Sequence, residues 1–145
     1  MMKYIIIIIT VFHTIIFSQT EDKHIWKPLT TQSGEKFWYD PTTFDSVVNE
    51  KLNVWILESH RPPLKFEAID GDVFRSKTLY TINLANAKYG LKKIRYYGLT
   101  NQEIYSYDYD KYESDDIFTF PYPIILDSKI HLVLQEFLKK KRYQK

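Results

Sequence analysis

The run Leu52-Asn53-Val54-Trp55-Ile56-Leu57-Glu58-Ser59 decides the architecture. Its side chains alternate, and both alternating sets are apolar: Leu52, Val54 and Ile56 in one, Trp55 and Leu57 in the other. Successive residues of a strand point to opposite faces of the sheet. A strand apolar on both faces is buried on both, which predicts a central strand with a cover on each side. Outward from this run the chain reads as further short strands separated by turn chemistry. Upstream, Ile25–Thr30 reads as a first strand at an edge, because Pro28 cannot donate to a ladder. Gln32-Ser33-Gly34-Glu35 is a tight turn, Lys36–Asp40 a strand, and Asp40-Pro41-Thr42-Thr43 a break. Downstream, Arg61-Pro62-Pro63 is expected to end the central strand, followed by a loop through Asp70-Gly71-Asp72. Ser76–Leu84, Lys88–Tyr97 and Ile104–Tyr109 are the remaining strands, with connections at Asn86-Ala87 and Gly98–Glu103.

After the acidic segment Asp110–Asp116 and the extended stretch around Pro121 and Pro123, the period changes. From Ser128 to Arg142 the apolar residues Ile130, Val133, Leu134, Phe137 and Leu138 recur at intervals of three and four, which predicts an amphipathic helix. Asp127 or Ser128 can cap its first free N–H groups. Lys139, Lys140, Lys141 and Arg142 suit the negative end of its dipole. A lone helix of this length does not survive in water, so its apolar stripe must lie on the sheet. The expected fold class is α+β: an antiparallel sheet of about five to six strands with one C-terminal helix packed on it.

Met1–Lys3 carries one positive charge, Tyr4–Phe17 is an apolar run with five consecutive isoleucines, and Ser18-Gln19-Thr20 follows. That order reads as a secretory signal peptide over residues 1–18, with cleavage after Ser18 and a single domain over 19–145. The alternative is a retained membrane anchor. The run is shorter than the roughly 20 residues a spanning helix needs and is broken by Thr10, His13 and Thr14. Export places the protein in the periplasm, on the cell surface or in the medium, with no integral span after cleavage. Cleavage removes only Lys3 among the charged residues and leaves 19 basic and 18 acidic ones. A chain so near neutrality does not point to nucleic acid. No Cys is present, so no disulfide, thiol catalyst or zinc–thiolate site can form and burial must carry the stability.

No nucleophile elbow, Walker-type loop or dinucleotide-binding glycine motif occurs, and four glycines in all leave little for a phosphate cradle. His24, His60 and His131 fall in three different elements with no metal-ligand spacing. Asp70-Gly71-Asp72 and the group Asp108, Asp110, Glu113, Asp115 and Asp116 lack calcium-loop spacing and read as solvated loops. The sequence therefore predicts no catalytic residue, no metal and no cofactor. Its most suggestive feature is the row Tyr105, Tyr107 and Tyr109, standing on one face of the last strand. Aromatic rows either pack as core or form contact platforms of large area and low entropic cost. These three tyrosines are the candidate binding residues.

The order of the pieces resembles the surface-adhesin protein E family of small exported bacterial proteins. The matching residues are Trp26, Phe37-Trp38-Tyr39-Asp40-Pro41-Thr42-Thr43-Phe44, Val54-Trp55-Ile56-Leu57, Ser76-Lys77-x-Leu79-Tyr80-x-Ile82-Asn83, Ser106-Tyr107-Asp108-Tyr109 and the Ser128-capped helix. The resemblance spans about Trp26 to Leu138. It implies an antiparallel sheet with a terminal helix, exposure at the cell surface, and adhesion to host or extracellular-matrix proteins. The family commonly carries two cysteines where this chain has Leu84 and Leu138, which implies an apolar contact in place of a disulfide. No ligand-contact residue carries over.

The resulting expectation is an exported, non-catalytic, adhesin-like domain that recognises a protein or surface component. The second face of the Leu52–Ser59 strand needs a cover, for which homodimerisation through the sheet is one candidate. The alternatives are a small periplasmic hydrolase or enzyme inhibitor, with His60 or His131 beside Glu58, Asp70 or Asp72, and a structural envelope component.

Overall fold

The computed structural model describes residues 23–109 and 119–144. The leader and the acidic segment Asp110–Asp116 lie outside the described residues. Six strands run in sequence order across one antiparallel sheet: β1 (Lys27–Thr30), β2 (Lys36–Tyr39), β3 (Lys51–Leu64), β4 (Val73–Asn83), β5 (Lys88–Tyr97) and β6 (Glu103–Asp108). A two-residue strand, β7 (Tyr122–Pro123), pairs with Lys88 and Tyr89 at the start of β5. One helix, α1 (Lys129–Tyr143), closes the described chain. The architecture is α+β, with the antiparallel sheet and C-terminal helix that the hydrophobic periods indicate.

The central strand differs from expectation at its far end. Arg61-Pro62-Pro63 does not stop it: β3 continues to Leu64, where pairing resumes with Val73 after an irregularity between Ser59 and Leu64. Proline lacks the N–H that a ladder requires, and an interrupted register is where a strand tolerates it. Between β2 and β3 the chain makes a 3-10 turn, Pro41–Asp45, in which the Asp40 carboxylate accepts from the backbone N–H of Thr42 at 2.9 Å. Tyr109, expected to end the last strand, falls one residue beyond β6.

Register fixes which side chains share a face. Phe37, Glu58, Ser76, Tyr96 and Tyr105 form one row across β2–β6, and Tyr39, Ile56, Thr78, Ile94 and Tyr107 form the next. Lys129 of α1 pairs with Glu58, so these rows lie on the helix side. The core sits there: Phe37, Phe44, Leu52, Val54, Ile56 and Ile82 meet Ile130, Val133 and Phe137. Burial falls along each row as the helix is left behind, from Phe37 at 0% exposure to Tyr105 at 38%.

The helix is held at both ends. The Ser128 hydroxyl accepts from the His131 N–H at 3.2 Å, an N-cap that satisfies one orphan donor. Lys129 reaches Glu58 of β3 and Glu35 of the turn before β2, the latter at 3.4 Å. Burial alone would lower the Lys129 pKa, but hydrogen bonding and charge from Glu58 and Glu35 outweigh it and raise the value. Near the other end Lys140 pairs with Asp45 at 2.6 Å. Leu84 packs against the core, whereas Leu138 is 46% exposed and stands outside it, so the two leucines do not share the burial a lost disulfide would leave.

Gly90 is required by a close approach. A Cβ there would drive into the carbonyl oxygen of Thr119, in the segment that leads into β7. That contact is backbone, which cannot swing aside as a flexible side chain can.

The helix-to-sheet seam predicts a sharp contrast between adjacent residues. Phe137→Ala should cost about 3–5 kcal/mol in urea unfolding, through lost burial and a cavity. Leu138→Ala should cost less than about 1 kcal/mol. Equal losses at the two positions would contradict the packing.

Candidate functional site

The face of the sheet turned away from α1 has a different character. Pro28, Trp38, Leu57, Lys77, Arg95 and Ser106 form a single register row across all six long strands. One row along, Trp55, Leu79, Lys93 and Asp108 are in register; on the other side, Ser59, Arg75 and Tyr97 are. Adjacent strands are roughly 4.8 Å apart, so Trp38 to Arg95 spans about 14 Å of one sheet face.

Each ring on this face has a cation near it. The Lys36 ammonium lies 5.4 Å from the Trp38 ring, and the Arg95 guanidinium 5.6 Å from Trp55. Lys77 stands 5.2 Å from Tyr97 and 6.0 Å from Trp26. Such contacts are worth about 0.5–1 kcal/mol when exposed and more when desolvated. Lys77 and Arg95 are directly opposed in the register, an arrangement in which like charges repel. Among the described residues neither has a carboxylate partner. Lys93 pairs with Asp108 at 3.4 Å, and Arg75 donates to the Asn101 side-chain oxygen at 2.8 Å.

The stretch ahead of β1 supplies the cover that Trp55 needs. The His24 ring packs 4.7 Å from Trp26 and 5.5 Å from Trp55, and its Nδ1 donates to the Asp40 carboxylate at 2.7 Å. Asp40 is 1% exposed and Trp55 8%. Burial pushes the Asp40 carboxyl up, but hydrogen bonds from Thr42 and His24 outweigh it and hold the group below the usual carboxylate range. His24, expected beside a loose chain start, is a buried tether. Nothing in the local sequence marks it, because its partner is 16 positions away.

Tyr105, Tyr107 and Tyr109 are brought together, on the opposite face. Tyr105 stacks on Tyr96 at 6.4 Å, Tyr96 meets Phe66 at 5.2 Å, and Tyr107 meets Tyr109 at 4.5 Å. They are 38%, 38% and 44% exposed and lie beyond the helix rather than beneath it. Burial raises the pKa of Tyr80 and Tyr96 on the same face, so these phenols stay protonated.

Of the residues weighed for hydrolysis, the structure brings His60 and Glu58 together around Ser76, and burial outweighs the Glu58 charge to hold the His60 pKa below the ordinary imidazole value. The His60 Nε2 bonds the Ser76 hydroxyl at 2.9 Å, but Ser76 is 5% exposed, which closes it to a substrate carbonyl. His131 accepts from the Asp127 N–H at 3.1 Å, Glu58 is taken by Lys129, and Asp72 faces Lys65 at 3.7 Å. Among the described residues no group of three or more His, Cys, Asp or Glu is placed to hold a metal. No described helix is long and apolar enough to cross a membrane.

No family model, curated protein or solved structure matches the chain.

The Asp40 tether carries a pH signature. A depressed carboxyl pKa contributes stability that is full above the ordinary value of about 3.9 and is lost as pH falls through the lower folded value. Asp40→Asn should be less stable than the parent at pH 7. It should also lose less stability between pH 5 and pH 2, read as the urea midpoint against pH. Parallel curves would show that the carboxylate does not stabilise the fold.

Proposed function

We propose that this protein is an exported, non-catalytic binding domain that recognises a protein or cell-surface component through the sheet face opposite the helix. The observation that carries the reading is the opposed pair Lys77 and Arg95, set on rigid neighbouring strands without a carboxylate partner among the described residues. Cations placed together in this way repel each other in the free protein, and an anionic partner relieves that repulsion. Strands also hold a site more rigidly than loops do. The leader-like residues 1–18 and the resemblance to surface-adhesin protein E proteins support an extracellular setting for such a surface. The tyrosines Tyr105, Tyr107 and Tyr109 form a second, uncharged contact area at the β6 edge.

A hydrolase reading has in its favour the His60–Ser76 hydrogen bond with Glu58 nearby, and the burial of Ser76 and the pairing of Glu58 with Lys129 weigh against it. A homodimer through the open face is opposed by charge. A two-fold contact there brings the same cationic patch against itself.

Two measurements test the proposal. The protein recovered outside the cytoplasm should begin at Gln19; recovery only in the cytoplasm with residues 1–18 intact would remove the export reading. Binding to immobilised whole-cell surface extract should fall at least tenfold in Lys77→Glu/Arg95→Glu and stay within twofold in Lys139→Gln, at an exposed position of the helix. Unchanged binding of the double variant would rule out this face.

A further inference from the structure

We infer that the face around Lys77 and Arg95 takes an acidic polysaccharide, an inference that rests on the binding role proposed above. Charge complementarity supplies the first argument. Lys36, Arg75, Lys77, Lys93 and Arg95 occupy three adjacent rows of one face. Among the described residues, the carboxylates near them are Asp108 beside Lys93, Asp40 buried under His24, and Glu103 at the margin opposite Tyr97. The balance is cationic and spread over a surface, which suits a polymer carrying repeated charges better than a single small anion.

The backbone supplies the second argument. A peptide gains most from a sheet by adding to an edge, where N–H and C=O groups are unpaired. Lys77 and Arg95 lie on β4 and β5, each paired on both sides, so a peptide over them would leave its own backbone unmatched. A polysaccharide has no such backbone to satisfy. Its sulfates or carboxylates meet the ammonium and guanidinium groups, its hydroxyls stay in water, and its apolar C–H faces pack on the half-buried rings of Trp26 and Trp38.

The third argument separates this ligand from a lipid surface. Peripheral membrane binding needs apolar side chains free to insert alongside the basic ones. The apolar members of the rows, Leu57 and Leu79, are half-buried, and none of the large exposed hydrophobic residues belongs to these rows. The chemistry offered is charge beside ring, without an inserting wedge.

The test uses the protein expressed from the full 145-residue sequence, with heparin as the acidic polysaccharide, dextran as the neutral one and poly-L-glutamate as the acidic peptide. Heparin should bind, dextran should not, and poly-L-glutamate should bind at least tenfold more weakly than heparin. Lys77→Gln/Arg95→Gln should weaken heparin at least tenfold while keeping the strand-rich circular dichroism spectrum. Lys139→Gln/Arg142→Gln, on the exposed end of the helix, should stay within twofold of the parent. Should the double sheet variant misfold, Lys36→Gln alone, at an exposed position, is expected to weaken heparin about threefold. Equal heparin binding by parent and sheet variants, or poly-L-glutamate as tight as heparin, would overturn the assignment. If heparin fails but Lys77→Glu/Arg95→Glu still abolishes binding to surface extract, the polysaccharide falls and the binding role stands. If that variant keeps surface binding, the binding role itself falls.

Discussion

One strand has to satisfy two different environments, and the molecule is organised around that constraint. Leu52, Val54 and Ile56 of β3 are fully buried under α1, while Trp55, between them in sequence, is buried on the reverse side. Burying side chains of this size yields about 1.5–3 kcal/mol each, and the gain depends on something lying over them. The helix answers for one face only. On the other, a short approach segment and a set of cations take its place: His24 packs on Trp55 while bonded to Asp40, and Arg95 lies over the same ring. The cover is thin and polar on its outer side, which leaves a charged sheet surface facing solvent.

This division accounts for what could be read from the sequence. The bounds of β5, Lys88–Tyr97, are legible because Asn86-Ala87 and Gly98 flank its apolar residues, whose phase changes between Leu91 and Ile94 where the register with β4 shifts. The helix is legible because a period of three and four cannot be confused with an alternation over fifteen residues, and of the two cap candidates, Asp127 and Ser128, the structure uses Ser128. Leu138 has the spacing of the buried stripe and yet is exposed, because periodicity gives the width of a stripe and not where the sheet beneath it ends. Arg61-Pro62-Pro63 has the character of a terminator because proline removes a donor. The strand passes it by interrupting its register, which only the partner strand reveals.

The candidate site was less legible than the fold. The tyrosine row is legible because its members alternate within five residues of sequence, and the structure keeps Tyr105 and Tyr107 on one side of β6 with Tyr109 just past its end. The cationic row was not visible, because Lys77 and Arg95 are 18 positions apart and become neighbours only through register. The same is true of His24 and Asp40. Local patterning shows which residues share a face of one strand, and long-range pairing decides which faces become surfaces of one sign. Like charges opposed in a register are a cost to the isolated sheet. Two nearby aromatic contacts, Lys77 with Tyr97 and Arg95 with Trp55, offset part of it without neutralising the charge.

The central claim is that one face is sealed by the helix and the other stands open. Residue-resolved acylation of lysine amines in the free protein at micromolar concentration, read by mass spectrometry, tests it most directly. Lys36 and Lys77 should be modified well before Lys129, which is held between Glu58 and Glu35 under the start of the helix. Protection of Lys36 and Lys77 together with early modification of Lys129 would mean that the open face is occupied and the helix is not seated, and the account would not stand.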